Sequence, residues 1–302
     1  MKIVAIGHLC LDVIHPIDAP EVRSYGGIYY TIAALAALAN GRDTVIPVFG
    51  VNKADYPGLI QDLQRYPNID TAGIFTFPTP TNTVHLYYTD RQARVECSKN
   101  IAQPISYERI RRYLAADGIL INMISGWDVA LEALDQIRMA VRGQDIPLHL
   151  DLHSLTLGIN EQCERFRRPV SEWRRWGFMV DTIQMNEEEI AGLTAEHLPE
   201  QQAAGHLLTL STKGIVVTRG ARGATLYTSD HKRLVRKDVE GIPVEQVRDT
   251  TGCGDVFGAA LHYHYLKTRD LLASVQVANR VAAAKVELAG SDRLDVLKAS
   301  YV

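Results

Sequence analysis

The chain has 302 residues, enough for about two typical domains or one large α/β domain with an elaboration. Its 46% hydrophobic and 22% charged residues, with 22 Gly and 12 Pro, exclude collagen-like, low-complexity and wholly disordered classes. Thirty-two Lys and Arg against 35 Asp and Glu leave a formal charge of −3, which argues against nucleic acid as the main partner because no basic excess exists to release backbone counterions.

In chain order, Lys2 to Gly7 is a short apolar run ending at a glycine, and similar runs recur at Thr44–Val48, Gly118–Ile121, Pro147–Leu152, Met179–Ile183 and Ile215–Thr218. These predict buried parallel strands. Between them, Thr31–Ala39, Tyr107–Leu114, Val129–Val141 and Ala203–Leu210 carry helical periodicity, so strands and helices alternate as a doubly wound α/β sheet requires. Two segments, Asp12–Tyr25 and Thr83–Ser98, break the rhythm. In the second, Val84–Tyr88 and Ala93–Cys97 flank a turn at Asp90 with one wet face, which predicts a small β flap. After Thr218, a strand at Ala224–Thr228 precedes helices at Asp255–Leu266 and Leu271–Leu288. The longest helical apolar stretch, Ile32–Ala39, falls short of the ~20 residues that cross a bilayer, and no secretion signal is read at the N-terminus. Cys10, Cys97, Cys163 and Cys253 form no C-x-x-C pair, so neither a disulfide framework nor a zinc ribbon is expected, and a reducing cytoplasm fits.

The chemistry concentrates in Asp249-Thr-Thr-Gly-Cys-Gly-Asp255, which opens a helix. Two glycines let backbone approach a ligand, and the amides of Gly252, Cys253 and Gly254 at a helix start form an anion hole. Asp255 beside that hole can take a proton from an attacking hydroxyl. The pairing points to phosphoryl transfer, although a Gly-rich turn capped by Asp also starts ordinary helices. A P-loop and a dinucleotide fingerprint are both absent, since Gly7 is followed by His8-Leu-Cys10 rather than a second glycine.

The 249–255 stretch resembles the D-T-x-G-A-G-D signature of the ribokinase-like, PfkB-type carbohydrate kinases, with Cys253 at the usual alanine. The resemblance runs over the whole chain and implies a single domain, residues 1–302. Its architecture would be a three-layer α/β/α sandwich around a mostly parallel sheet, with a β lid from about 12–25 and 83–98. Gly7 and Asp12 resemble the family's G-x-x-x-x-D opening, and Gly26-Gly27 its di-glycine motif, here also the natural hinge of the lid. The resemblance implies acceptor binding by Asp12, Gly26, Gly27, Thr31 and His153. Asn186-Glu-Glu-Glu189 resembles the N-x-x-E motif, implying that Asn186 and Glu189 organise Mg2+ and phosphates through water, and it equally has the form of a capping box. Thr218-Arg-Gly-Ala-Arg-Gly223 resembles the nucleotide loop, with Thr218, Gly220 and Gly223 against ATP, and Asn279 falls where relatives contact the nucleotide. The resemblance further implies K+ held by oxygens near Asp249, Thr251, Gly290 and Ser291.

Two departures bear on the acceptor. Thr31 stands where relatives often carry Asn, and the familiar D-x-N is Asp151-Leu-His153. A sugar or sugar derivative is the expected acceptor, with a nucleoside or a non-catalytic sugar sensor as alternatives. His149, Asp151 and His153 alternate on one strand and would share a face, which admits a metal as well as hydrogen-bonded histidines. A homodimer through the exposed lid is also expected.

Overall fold

Continuous apolar runs become strands covered on both faces, and the architecture is built around them. The computed structural model describes residues 1–15, 20–88, 94–291 and 293–301. β1 (Lys2–Ile6) leads into β2 (Leu9–His15), β3 (Val22–Gly27), α1 (Ile28–Leu38), β4 (Thr44–Asn52), α2 (Tyr56–Leu63) and β5 (Ile74–Phe77). Then come β6 (Asn82–Tyr88), β7 (Arg94–Lys99), α3 (Tyr107–Ile110), β8 (Gly118–Asn122), α4 (Leu131–Val141), β9 (Leu148–Asp151), β10 (Leu157–Ile159) and β11 (Arg165–Arg167). The last third comprises α5 (Trp173–Phe178), β12 (Thr182–Asn186), α6 (Glu187–Ala191), α7 (Glu200–Leu208), β13 (Gly214–Thr218), β14 (Gly223–Asp230), β15 (Arg233–Glu240), α8 (Cys253–Thr268) and α9 (Leu271–Val286).

Nine strands form one sheet in the order β15-β14-β13-β12-β9-β8-β1-β4-β5. From β13 to β5 every pairing is parallel, and only β14, paired antiparallel to both β13 and β15, runs the opposite way. The carboxyl ends of β1, β8, β9, β12 and β13 therefore share one edge, where open α/β sheets bind ligands. α1 is buried on every side, packed between the sheet and α8. Such a helix needs no polar face, and Ile28–Leu38 has none.

A second sheet, ordered β3-β2-β6-β7, stands over that edge. Asp12 lies in its β2, paired with Ser24 on one side and Val84 on the other. The expected flap is thus a four-stranded sheet, and the turn anticipated at Asp90 lies outside the described residues.

Several boundaries differ from expectation; α1, for example, starts at Ile28 rather than Thr31 and β4 runs on to Asn52. The apolar run Met179–Ile183 straddles the end of α5 and the start of β12, because Trp173, Trp176 and Gly177 bury a helical face and the strand begins only at Thr182. Tyr107–Leu114 is a four-residue helix followed by a 3-10 turn, and α8 starts two residues early, at Cys253. α2, α5, β5 and β15 had no strong periodic signal; β15 is mostly exposed and polar. Among the described residues no helix is long and apolar enough to cross a membrane.

Candidate active site

Between the small sheet and the N-terminus of α8 lies a cavity of about 320 Å³. Cys10, Asp12, Val84, Leu86 and Glu96 form its small-sheet wall, while Asp151, His153, Gln184, Asn186 and Glu189 come from the strand ends opposite. Thr250, Thr251, Gly252, Gly254 and Asp255 close it from the α8 side. A second, mostly apolar cavity of about 380 Å³ is lined by Gly220, Gly223, Val247, Phe257, Asn279 and Ala282 among others. Asn186, Thr218, Thr250 and Gly254 line both. The two cavities therefore meet at the turn that starts α8.

That turn depends on Gly252. Its φ of +77 lies in the left-handed region, and a Cβ there would come within 2.3 Å of the Tyr30 ring. A side chain would thus be excluded twice, by backbone and by contact. Of the three amides expected to make the anion hole, that of Cys253 donates to Thr250 O at 3.3 Å. Those of Gly252 and Gly254 have no protein acceptor among the described residues, so the candidate hole narrows to these two.

Asp255 is buried, and its Oδ1 accepts from Asn122 Nδ2 at 2.6 Å. The same amide donates to Thr31 Oγ1 at 3.0 Å. Thr31 is fully buried and does not line the cavity, so the expected direct contact with an acceptor is replaced by this indirect role. Burial pushes the Asp255 carboxyl up, while His153, then the Asn122 hydrogen bond, pull it back toward the ionised form. His153 leaves the end of β9 at a positive φ and bonds Ser154 Oγ at 2.8 Å. Burial lowers its pKa, but the carboxylates of Asp255, Asp151 and Glu189 outweigh it and the net shift is upward. Gln184 Nε2 donates to Gly254 O at 2.9 Å and steadies the turn from β12.

On the opposite wall, burial raises the Asp12 carboxyl to about 7; the Cys10 thiol, donating at 3.4 Å, opposes this and the charges of Asp255 and Glu96 add to it. A Cβ on Gly26 would sit 2.1 Å from Asp12 Oδ2, so Gly26 is the floor against which that carboxylate rests rather than a lining residue. Gly27 does line the cavity.

Asn186 and Glu189 form the complete capping box. Asn186 Oδ1 accepts from Glu189 N at 2.8 Å, and Glu189 takes Asn186 N at 2.8 Å and Nδ2 at 2.7 Å. Each Glu189 oxygen keeps a lone pair free, and both residues line the cavity, which fits a hydrated Mg2+ reached through water. Among the described residues no group of three or more His, Cys, Asp or Glu could hold a metal directly. His149 lies deeper, bonding Thr182 Oγ1 at 2.8 Å and lying beside His262 with ring centroids 5.8 Å apart, so the suspected His149–Asp151–His153 metal set does not form. In the second cavity, Asn279 is tied by Nδ2 to Glu240 O at 2.6 Å, a structural contact on its rim.

The oxygens near which K+ is expected make contacts within the chain. Asp249 Oδ1 accepts from Thr251 N and Oδ2 from Gly290 N, both at 2.9 Å, and Ser291 Oγ donates to Tyr25 O at 3.0 Å. Lys285 Nζ lies 3.3 Å from Asp249 O and 3.4 Å from Leu288 O. Burial raises the Asp249 carboxyl, but the Thr251 amide and the Lys285 ammonium hold it below the usual carboxylate range. A cation belonging to the chain, the Lys285 ammonium, already lies beside Asp249 O and Leu288 O, and a second cation at these oxygens would meet its charge, so the site does not fit K+.

Sequence reasoning missed Asn122, Glu96, Gln184 and Lys285, none of which belongs to a recognisable motif. Only the break of an apolar strand by Asn122 at its carboxyl end could have drawn attention.

Residues 167–296 match the pattern described as pfkB family carbohydrate kinase. A fructokinase of Rhizobium leguminosarum bv. trifolii is 34% identical over 110 residues, 35% of this chain and 30% of that protein. A ribokinase of Arabidopsis thaliana is 27% identical over 175 residues, 54% of this chain and 41% of the relative, so less than half the length of either is spanned. Among solved structures, ribokinase from Giardia lamblia superposes with a TM-score of 0.79 at 15% identity, covering 99% of this chain and 97% of that one. A putative ribokinase II from E. coli in complex with ATP and Mg2+ gives 0.75 at 20% identity, with 99% and 98% covered. The carboxyl-terminal residues 167–296 thus match the pfkB carbohydrate kinase pattern, and the whole chain has the fold of solved ribokinases.

Proposed function

We propose that this chain transfers the γ-phosphoryl group of ATP to a hydroxyl of a sugar or sugar derivative. The observation that carries the reading is the meeting of two cavities at the α8 turn, with Asp255 on the polar side and the Gly252 and Gly254 amides at the junction. ATP occupies the apolar cavity, its phosphates passing Thr218, Gly220 and Gly223 toward the turn, with Asn279 on the rim. The acceptor occupies the polar one, with its hydroxyls on Asp12, Gly27 and His153.

Asp255 accepts the proton of the reacting hydroxyl as its oxygen bonds to the γ-phosphorus and the bond to the bridging oxygen of ADP breaks. Negative charge shifting onto the transferred group meets the Gly252 and Gly254 amides and the positive end of α8. Mg2+ bound with the nucleotide would neutralise phosphate charge, and Asn186 and Glu189 would hold it through its water shell. Asn122, braced by Thr31, keeps the Asp255 carboxylate aimed at the junction. The small sheet excludes water, a competing acceptor, and two copies pairing through it form the dimer. Carboxylates on both walls suit a polyol rich in donor hydroxyls, which favours a sugar over a nucleoside, and an ionisable Asp255 favours turnover over mere sensing.

ATP consumption by the purified protein, screened across sugars, sugar phosphates and nucleosides, tests this. Turnover with a sugar-class acceptor is expected. Turnover with nucleosides alone would reassign the acceptor, and none with any acceptor, alongside intact ATP binding, would favour the sensor.

A further inference from the structure

Lys285 is fully buried near the end of α9. An ammonium is costly to bury unless its surroundings are arranged for it. Here they are: Nζ faces Asp249 O at 3.3 Å and Leu288 O at 3.4 Å, with Asp249 Oδ2 at 3.7 Å. Two carbonyl oxygens take N–H donors of the ammonium, and the carboxylate adds opposite charge beside it. Its fourth side is the ring of Tyr30, whose centroid lies 5.5 Å away.

Two of these partners, Asp249 and Tyr30, belong to the active-site turn or touch it. Arg248 N and Asp249 N both donate to Val286 O, so the turn is bolted to the end of α9 beside the ammonium. The Asp249 carboxylate spans Thr251 N and Gly290 N, joining the turn to the following loop. The Tyr30 ring that covers the ammonium is the surface against which Gly252 is pressed. The charge therefore sits one aromatic ring from the residue that caps α8.

We propose that the Lys285 ammonium is a tethered substitute for an exchangeable monovalent cation, holding the 249–252 turn in its phosphate-binding shape, so that the protein needs neither K+ nor Na+. An ammonium has nearly the size of K+, but a covalent tether keeps it at full occupancy in any salt. Lys285 is thus a positioning residue. Its effect on turnover rests on the kinase reading, whereas its effect on the fold of the turn does not.

The full-length protein is melted, and its ATP affinity measured by calorimetry, in KCl, NaCl and tetramethylammonium chloride at equal ionic strength. Wild type is expected to keep its midpoint within about 1 °C and its ATP Kd within about twofold across the three salts. Lys285→Ala empties the cage: in tetramethylammonium its midpoint falls by roughly 5–10 °C, and KCl or ethylammonium chloride restores at least about half of that. Lys285→Met fills the space without charge, falls similarly and is not rescued. A wild-type midpoint that rises by roughly 5 °C, or an ATP affinity that rises severalfold, with K+ overturns the proposal. So does a Lys285→Ala protein whose loss no cation reverses, because packing alone then explains the residue. Should Lys285→Ala not fold in tetramethylammonium, its recovery or failure in KCl and the wild-type series still decide. Since melting requires no catalysis, a protein without kinase activity could still bear this out.

Discussion

Asp12→Asn is expected to stabilise the empty protein while damaging the acceptor site. Burial beneath the small sheet raises this carboxyl from 3.8 to about 7. An acid whose folded pKa lies above its unfolded one penalises the folded state as pH rises between those values, and the penalty is complete above the higher. Three units at about 1.4 kcal/mol each come to roughly 4 kcal/mol at pH 8, vanishing toward pH 4. Asn keeps the shape and can still accept from the Cys10 thiol, and Gly26 leaves it the same room. Differential scanning calorimetry should place the variant about 8 °C above wild type at pH 8, with the gap closing by pH 4. In the same variant a charge-assisted bond to the acceptor is lost, so the acceptor KM rises roughly 10- to 100-fold while ATP affinity holds. A variant melting at or below wild type at pH 8, or a gap independent of pH, would refute the claim that Asp12 is held in electrostatic strain for binding.

Asp255→Asn should lower kcat by ~10²- to 10⁴-fold with ATP affinity nearly intact, and near-normal turnover would remove Asp255 as the base. Glu189→Gln preserves a capping-box side chain, so urea unfolding should shift by no more than about 1 kcal/mol while the Mg2+ needed for half-maximal rate increases; an equal Mg2+ requirement would leave Glu189 a cap alone. Burial lowers His149 to about 3, so the folded protein keeps it neutral while the unfolded chain takes a proton below 6.5. Stability from this residue is therefore lost as pH falls from 6.5 toward 3, roughly 2 kcal/mol by pH 5, and His149→Gln should show that much less acid sensitivity in urea titrations at pH 7 and 5.

How legible this was in the sequence depended on whether a function left a pattern along the chain. The α8 turn was readable because backbone chemistry demands glycines at fixed spacing, and the parallel sheet because strands buried on both faces are apolar throughout. Asn186 and Glu189 were readable in both their roles, since a capping box is itself a spacing. Thr31 was placed on the right helix, but its partner could not be foreseen: Asn122 is 91 residues away, and the other residues from Ile119 to Ile124 are apolar. Lys285 looked like an ordinary helical lysine because its burial depends on two loops folding over its end. The strand expected at Met179–Ile183 slipped because apolar residues ending α5 and starting β12 run together, and only the tertiary fit of Trp173 and Trp176 separates them.

The contact between Gly26 and Asp12 limits how acceptor choice could be engineered. With 2.1 Å between a hypothetical methyl at position 26 and the carboxylate, glycine and acid form one inseparable unit, and any bulk introduced there would evict the anchor before it reshaped the chamber. Val84 and Leu86 face the same space from the adjoining strand and bind nothing through polar atoms. Libraries aimed at a new acceptor should therefore vary those two aliphatic positions and leave the glycine alone.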